Sequence, residues 1–206
     1  MKSYRKNAEE YAKWFDEIIR SYVEPLKVEW QPTESYLQRN ALLVTFNFDR
    51  RELGRRQPAT DVSPSDRSHE FQALDRFYKK ACRKLIGSNY ARRRSEQPLM
   101  IAAADVNHTR YWKNAGEIEN VHLHTIWVFQ PGQMKTFGDQ CQGLVEIASG
   151  SCDVFRQIDI RAIGAMNVDG KEPSRVSGYV SKFLGFNTEM MAIGDDVAVY
   201  PTPDVC

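Results

Sequence analysis

Two histidines two residues apart, His122 and His124, stand in the run Val121-His-Leu-His-Thr-Ile-Trp-Val-Phe129. On an extended strand, side chains at i and i+2 emerge on the same face, so the two imidazoles can share one ion. Imidazole is a common ligand of divalent transition metals. The neighbours Val121, Leu123, Ile126, Trp127 and Val128 would hold the pair on a rigid, buried strand. Two imidazoles do not complete a coordination sphere, so a third donor is needed. Upstream, Leu99-Met-Ile-Ala-Ala-Ala-Asp-Val106 reads as another strand, and folding residues 99–129 into a hairpin with a long loop brings Asp105 roughly opposite positions 121 to 123. A carboxylate there would suit Mg²⁺ or Mn²⁺. Glu119 and Glu117 are alternative donors, although the odd offset of Glu119 from His122 turns it to the other face unless a bulge intervenes.

A second chemical element lies in Gly178-Tyr-Val-Ser-Lys-Phe-Leu184. Three residues apart on a helix, Tyr179 and Lys182 share one side. A nearby cation stabilises a phenolate and can neutralise a phosphate, which is what a tyrosine nucleophile attacking a nucleic-acid backbone requires. Each feature alone has an ordinary reading: a His-x-His pair can be structural, and a tyrosine on an apolar helix face beside a solvated lysine is common core packing. Their combination in one chain singles them out.

The elements that must position these residues can be read from periodicity. From Ala8 to about Val23, apolar and aromatic residues recur at three- and four-residue spacing, which predicts a helix ended by Pro25 and Pro32. The dense run Ala41 to Phe48 predicts a buried, central strand. Residues 49–66, with four arginines and breaks at Gly54, Pro58 and Pro64, read as a loop. Ser65 or Asp66 can cap a helix running to about Leu85, with Gly87 ending it. After the 99–106 and 121–129 strands, Met134 to Ala148 is a weaker helical stretch, and Val154 to Ile163 alternates at period two like a strand. Pro173 or Ser174 opens the helix that bears Tyr179, with Gly185 ending it. Residues 187–206 read as a tail or the start of a truncated region, leaving one domain over 1–186.

Composition bounds the class. At 206 residues the chain suits one sizeable domain, and its balance of 42% hydrophobic with 27% charged residues fits a folded, soluble protein rather than a disordered one. No apolar run is long enough for a membrane span and the N-terminus lacks a signal-peptide core, so the expectation is a cytoplasmic protein without a membrane partner. Four widely spaced cysteines, with no Cys-x-x-Cys pair, indicate neither a zinc knuckle nor a disulfide framework. A net charge of +1 means that nucleic-acid binding must rest on local patches.

Together these motifs resemble the HUH endonuclease superfamily, in its single-tyrosine rolling-circle replication initiator branch. Three elements match in order: the apolar strand around Thr45 to Phe48 at the place of the first motif, Val121-His-Leu-His-Thr-Ile as the His-hydrophobe-His motif, and Tyr179-Val-Ser-Lys182 as the Tyr-x-x-Lys motif. The resemblance covers roughly residues 40 to 186. It implies an α+β fold of ferredoxin-like HUH architecture, a central antiparallel sheet flanked by helices with the tyrosine helix across it. It implies Mg²⁺ or Mn²⁺ held by His122, His124 and Asp105, where the family often has a glutamate. Tyr179, assisted by Lys182, would nick single-stranded DNA at an origin hairpin through a 5′-phosphotyrosine, with host helicase and polymerase as partners. A two-tyrosine mechanism does not fit, because position 183 is Phe and position 175 is Arg, one turn to either side.

DNA contacts are expected from Arg92, Arg93 and Arg94 on phosphates, and from Arg110, Trp112 and Lys113 by charge and base stacking. Two other readings remain open at this level: an HUH transposase, and a non-catalytic DNA-binding module in which the histidines are structural and Tyr179 is core. Metal titration with a single-stranded oligonucleotide, scored for cleavage as well as binding, separates the last from the enzymes.

Overall fold

The computed structural model describes residues 2–48, 69–106, 121–140, 155–182, 184 and 197–201. Helix α1 (Lys2–Val23) buries Ala12, Phe15, Ile19 and Val23, one stripe at helical spacing. A short helix that the periodicity did not reveal, α2 (Thr33–Asn40), follows Pro32 and buries Tyr36 and Leu37. The chain passes directly into β1 (Ala41–Phe48), then α3 (His69–Ile86), two 3₁₀ turns at Tyr90–Arg92 and Arg94–Glu96, and β2 (Leu99–Val106). Next come β3 (Val121–Val128), a helix over 133–140 (α4), β4 (Phe155–Ala162), α5 (Arg175–Ser181) and β5 (Val197–Tyr200). The expected loops at 49–66 and between β2 and β3 lie outside the described residues. Among the described residues no helix is long and apolar enough to cross a membrane.

The five strands form one sheet in the order β4-β1-β3-β2-β5, with every neighbouring pair antiparallel. The fold is α+β, as the sequence predicts. The first four strands with α3 and α4 follow the β-α-β-β-α-β pattern of a ferredoxin-like sheet. Strand β3 takes the middle place, with β1, expected to be central, beside it. The stretch beyond 186, expected as a tail, supplies the fifth strand: Val197–Tyr200 pairs with Met100–Ala103 of β2. Four residues are too few to declare a strand by periodicity, and this one is defined by the edge it completes.

Strand alternation sorts the core into two layers. On one face, Val44 and Phe46 of β1, Met100 and Ala102 of β2, and Leu123 and Trp127 of β3 pack against Phe71, Leu74, Phe77, Tyr78 and Ala81 of α3 and Phe137 of α4. Phe46 meets Phe77 edge-on at 5.0 Å, and Trp127 lies 5.1 Å from Phe137. On the other face, Ile101, Ala103, Ile126 and Val128 are covered by Phe15 and Ile19 of α1, Tyr36 and Leu37 of α2, and Val180 of α5. His122 and His124 share the parity of Ile126, so they belong to this second face.

Candidate active site

The β2–β3 hairpin places Asp105 directly across from His122, and β1 sets Thr45 across from His124 and Asn47 across from His122. Asp105, His122 and His124 are all buried, at 3%, 7% and 3% exposure. His124 Nε2 lies 2.7 Å and His122 Nε2 3.1 Å from Asp105 Oδ2, and the two Nε2 atoms are 3.2 Å apart. The three ligand atoms lie within 4.8 Å of one another, a buried Asp-His-His group that could hold a metal ion. The chemistry fits. Two imidazole nitrogens and one carboxylate make a mixed donor set for a divalent cation. Asp105 Oδ1, buried and accepting no hydrogen bond among the described residues, has lone pairs to spare.

Around the cluster the protein supplies orienting contacts. Thr45 Oγ1 lies 2.9 Å from His124 Nδ1, so a single hydroxyl fixes that ring and leaves Nε2 aimed at the cluster. Burial favours the neutral form of His124 and lowers its pKa, outweighing the opposing pull of Asp105. At Asp105, burial opposes ionisation, but hydrogen bonds from His122, His124 and Lys182 prevail and hold the carboxyl well below the usual carboxylate range. Both groups therefore take the protonation state that a metal ligand needs.

Helix α5 brings the tyrosine motif to the same place. The Tyr179 ring lies 4.8 Å from the His124 ring, and its side chain is 44% exposed where a core tyrosine would be hidden. Lys182, at the C-cap of α5, donates to Asp105 Oδ2 at 2.8 Å, and its Nζ sits 4.0 Å from the centre of the Tyr179 ring. The lysine thus ties the tyrosine to the carboxylate, a link that sequence spacing did not reveal. Beyond His124 the sheet face opens into a groove of about 420 Å³, lined by Leu43, Thr45 and Asn47 of β1, Asp159 and Arg161 of β4, His122, and Tyr179 itself.

No family model, curated protein or solved structure matches this chain. Asp105, His122, His124, Tyr179 and Lys182, singled out by type and spacing, converge at one end of the sheet. Arg92, Arg93 and Arg94 do not join them. They precede Leu99, at the end of β2 away from Asp105, and Arg93 is engaged by Glu96 and by the Ile86 carbonyl. Arg110, Trp112 and Lys113, with Glu117 and Glu119, lie outside the described residues.

Proposed function

We propose that this chain is a metal-dependent, single-tyrosine nickase of the HUH type, which cuts and rejoins single-stranded DNA and starts rolling-circle replication of a plasmid or phage. One observation carries the reading: an exposed tyrosine, a lysine and a buried Asp-His-His group, from three separate elements, converge beside a groove that His122, His124 and Tyr179 line. A structural histidine pair has no need of an exposed tyrosine packed against it.

In this reading Asp105, His122 and His124 would hold Mn²⁺ or Mg²⁺, and a bound ion would supply Lewis-acid polarisation of the scissile phosphate. The half-exposed Tyr179 hydroxyl gives its proton to water, which returns one to the leaving oxygen, and attacks phosphorus. The bond to the 3′ oxygen breaks, that oxygen takes up a proton, and the 5′ end remains as a phosphotyrosine ester. The bond energy is kept, so the reverse attack by a 3′-hydroxyl joins strands without a nucleotide cofactor. Lys182, beside both the ring and the carboxylate, offsets the negative charge that gathers during attack. The open groove across β1 and β4 gives an extended strand a path to the tyrosine. Host helicase and polymerase would then act on the freed 3′ end.

The test is incubation of the protein with labelled single-stranded and hairpin oligonucleotides and Mn²⁺, read on denaturing gels and by mass spectrometry. The expected result is a nick with the downstream fragment linked to Tyr179. An adduct placed on Tyr111 or Tyr200 would sink the motif assignment, and binding with neither nick nor adduct on any substrate would make a non-catalytic DNA-binding module the better reading.

A further inference from the structure

The helix that carries Tyr179 cannot hold itself in place. α5 spans seven residues, far short of the roughly 12 to 15 at which isolated helices become even marginal. Its position must come from its contacts, and its main partner is α1. There Asp16, 3% exposed, accepts three hydrogen bonds from the start of α5: from the Ser174 backbone N–H at 2.6 Å, from Ser174 Oγ at 2.7 Å and from Ser177 Oγ at 2.6 Å. Ser174 is also the N-cap, accepting from the Ser177 backbone N–H at 3.2 Å. At the other end of α5, Ser181 Oγ donates to the Ala8 carbonyl at 2.9 Å. The three serines lie at three- and four-residue spacing along the flank that meets α1, while Tyr179 and Lys182 reach His124 and Asp105.

A buried carboxylate is costly unless its partners are present, and here they all belong to one short helix. Resting on the nickase reading, we propose that Asp16 is a positioning residue for the reaction: it fixes the rotation and height of α5, and so the reach of the Tyr179 hydroxyl to a phosphate beside the Asp-His-His group. Asp16 touches neither the cluster nor the groove among the described residues, so it acts only through the helix.

The discriminating variant is Asp16→Asn, which keeps the size and one acceptor oxygen for the serine hydroxyls but turns an NH₂ group toward the Ser174 N–H. Three readings are taken on the full chain: Mn²⁺ affinity without DNA, kcat and KM for nicking of an oligonucleotide, and amide hydrogen exchange. Mn²⁺ affinity and KM should stay within about twofold, because the ligands and the groove lie mainly on strands, while kcat falls about 10- to 100-fold, the scale of a small misplacement of a reacting group. Exchange should quicken over 175–181 and not in β2 or β3. A folded Asp16→Asn protein with unchanged kcat and unchanged exchange overturns the proposal. So does a loss in which Mn²⁺ affinity and strand protection fall together, since that is general destabilisation. Should Asp16→Asn not fold, Ser177→Ala removes one of the three bonds and must give the same pattern at smaller size, a flat result there counting against the proposal. If the unmodified protein nicks nothing, the nickase reading fails on its own, and exchange in α5 still decides whether Asp16 holds the helix.

Discussion

Along β3, Leu123, Thr125 and Trp127 point into the layer filled by α3 and α4, whereas His122 and His124, between and beside them, point to the face that α5 crosses. Both faces bury polar groups, and they treat them differently. On the α3 side the Thr125 hydroxyl donates to the Val44 carbonyl and accepts from Trp127 Nε1, each at 2.9 Å, so the polar atoms are matched. On the α5 side three donors crowd Asp105 Oδ2 while Oδ1 accepts nothing among the described residues. A closed polar network rigidifies a core, whereas an open one that survives burial points to a ligand. The same strand therefore buries Leu123, Thr125 and Trp127 in a layer whose polar atoms are matched, and turns His122 and His124 to an open cluster that could hold a metal ion.

The largest effect is expected from Tyr179→Phe. Removing one oxygen from a half-exposed ring should leave the melting temperature nearly unchanged and abolish nicking and the DNA adduct, read on denaturing gels. Next, His122→Ala and His124→Ala should each remove measurable Mn²⁺ binding and cut nicking by about 100-fold or more, and a chelator should do the same to the unmodified protein. On the opposite face the effect should be thermodynamic: Trp127→Ala should cost about 3–5 kcal/mol in denaturant unfolding, with Mn²⁺ affinity preserved in whatever remains folded. Equal loss of metal affinity in that variant would mean the two faces are not separable. Smaller still, Thr45→Val should weaken Mn²⁺ binding about 10-fold by freeing the His124 ring, with stability little changed.

The faces should also answer to pH in opposite directions. The folded-state pKa values of Asp105 and His124 are lowered, so their contribution to stability is present above their ordinary values and lost on acidification. Without metal, melting temperature should fall as pH drops below about 6.5, where an unfolded histidine gains its proton. Burial pushes the Cys82 thiol on α3 up to about 12, a raised value whose stability is present below the ordinary thiol range and lost only as pH climbs through that range towards 12. Cys82 should accordingly resist alkylation at pH 8 until the protein unfolds. Rapid labelling of Cys82 in the native protein would place it outside a dry core.

The readable parts of this fold are those with strong local period. The strands at 41–48 and 99–106 and the stripe of α3 announce themselves, and the hairpin register that sets Asp105 opposite His122 follows from folding two strands back on each other. Helix α2 escaped because eight residues carry only two large buried anchors, Tyr36 and Leu37. Thr45 could not be seen as a partner of His124 because the pairing joins residues 79 apart. Lys182 was legible as a cation near Tyr179, but its bond to Asp105 depends on how α5 docks across the sheet. The arginines at 92–94 were visible as a basic cluster, and only the direction of β2 reveals that they lie at the wrong end for the tyrosine.

Strand β5 also bears on how the protein can be handled. It pairs with β2 from Met100 to Ala103, and beyond that, among the described residues, Ala104 to Val106 have a neighbour only in β3. A fragment ending at residue 186 would keep every residue of the candidate site and lose this strand. Its β2 would then present unpaired backbone groups along Met-Ile-Ala-Ala, an apolar edge without charge or proline to deter another chain. Such a fragment should self-associate through that edge as its concentration rises, so the four residues 197–200 serve as a built-in guard of solubility.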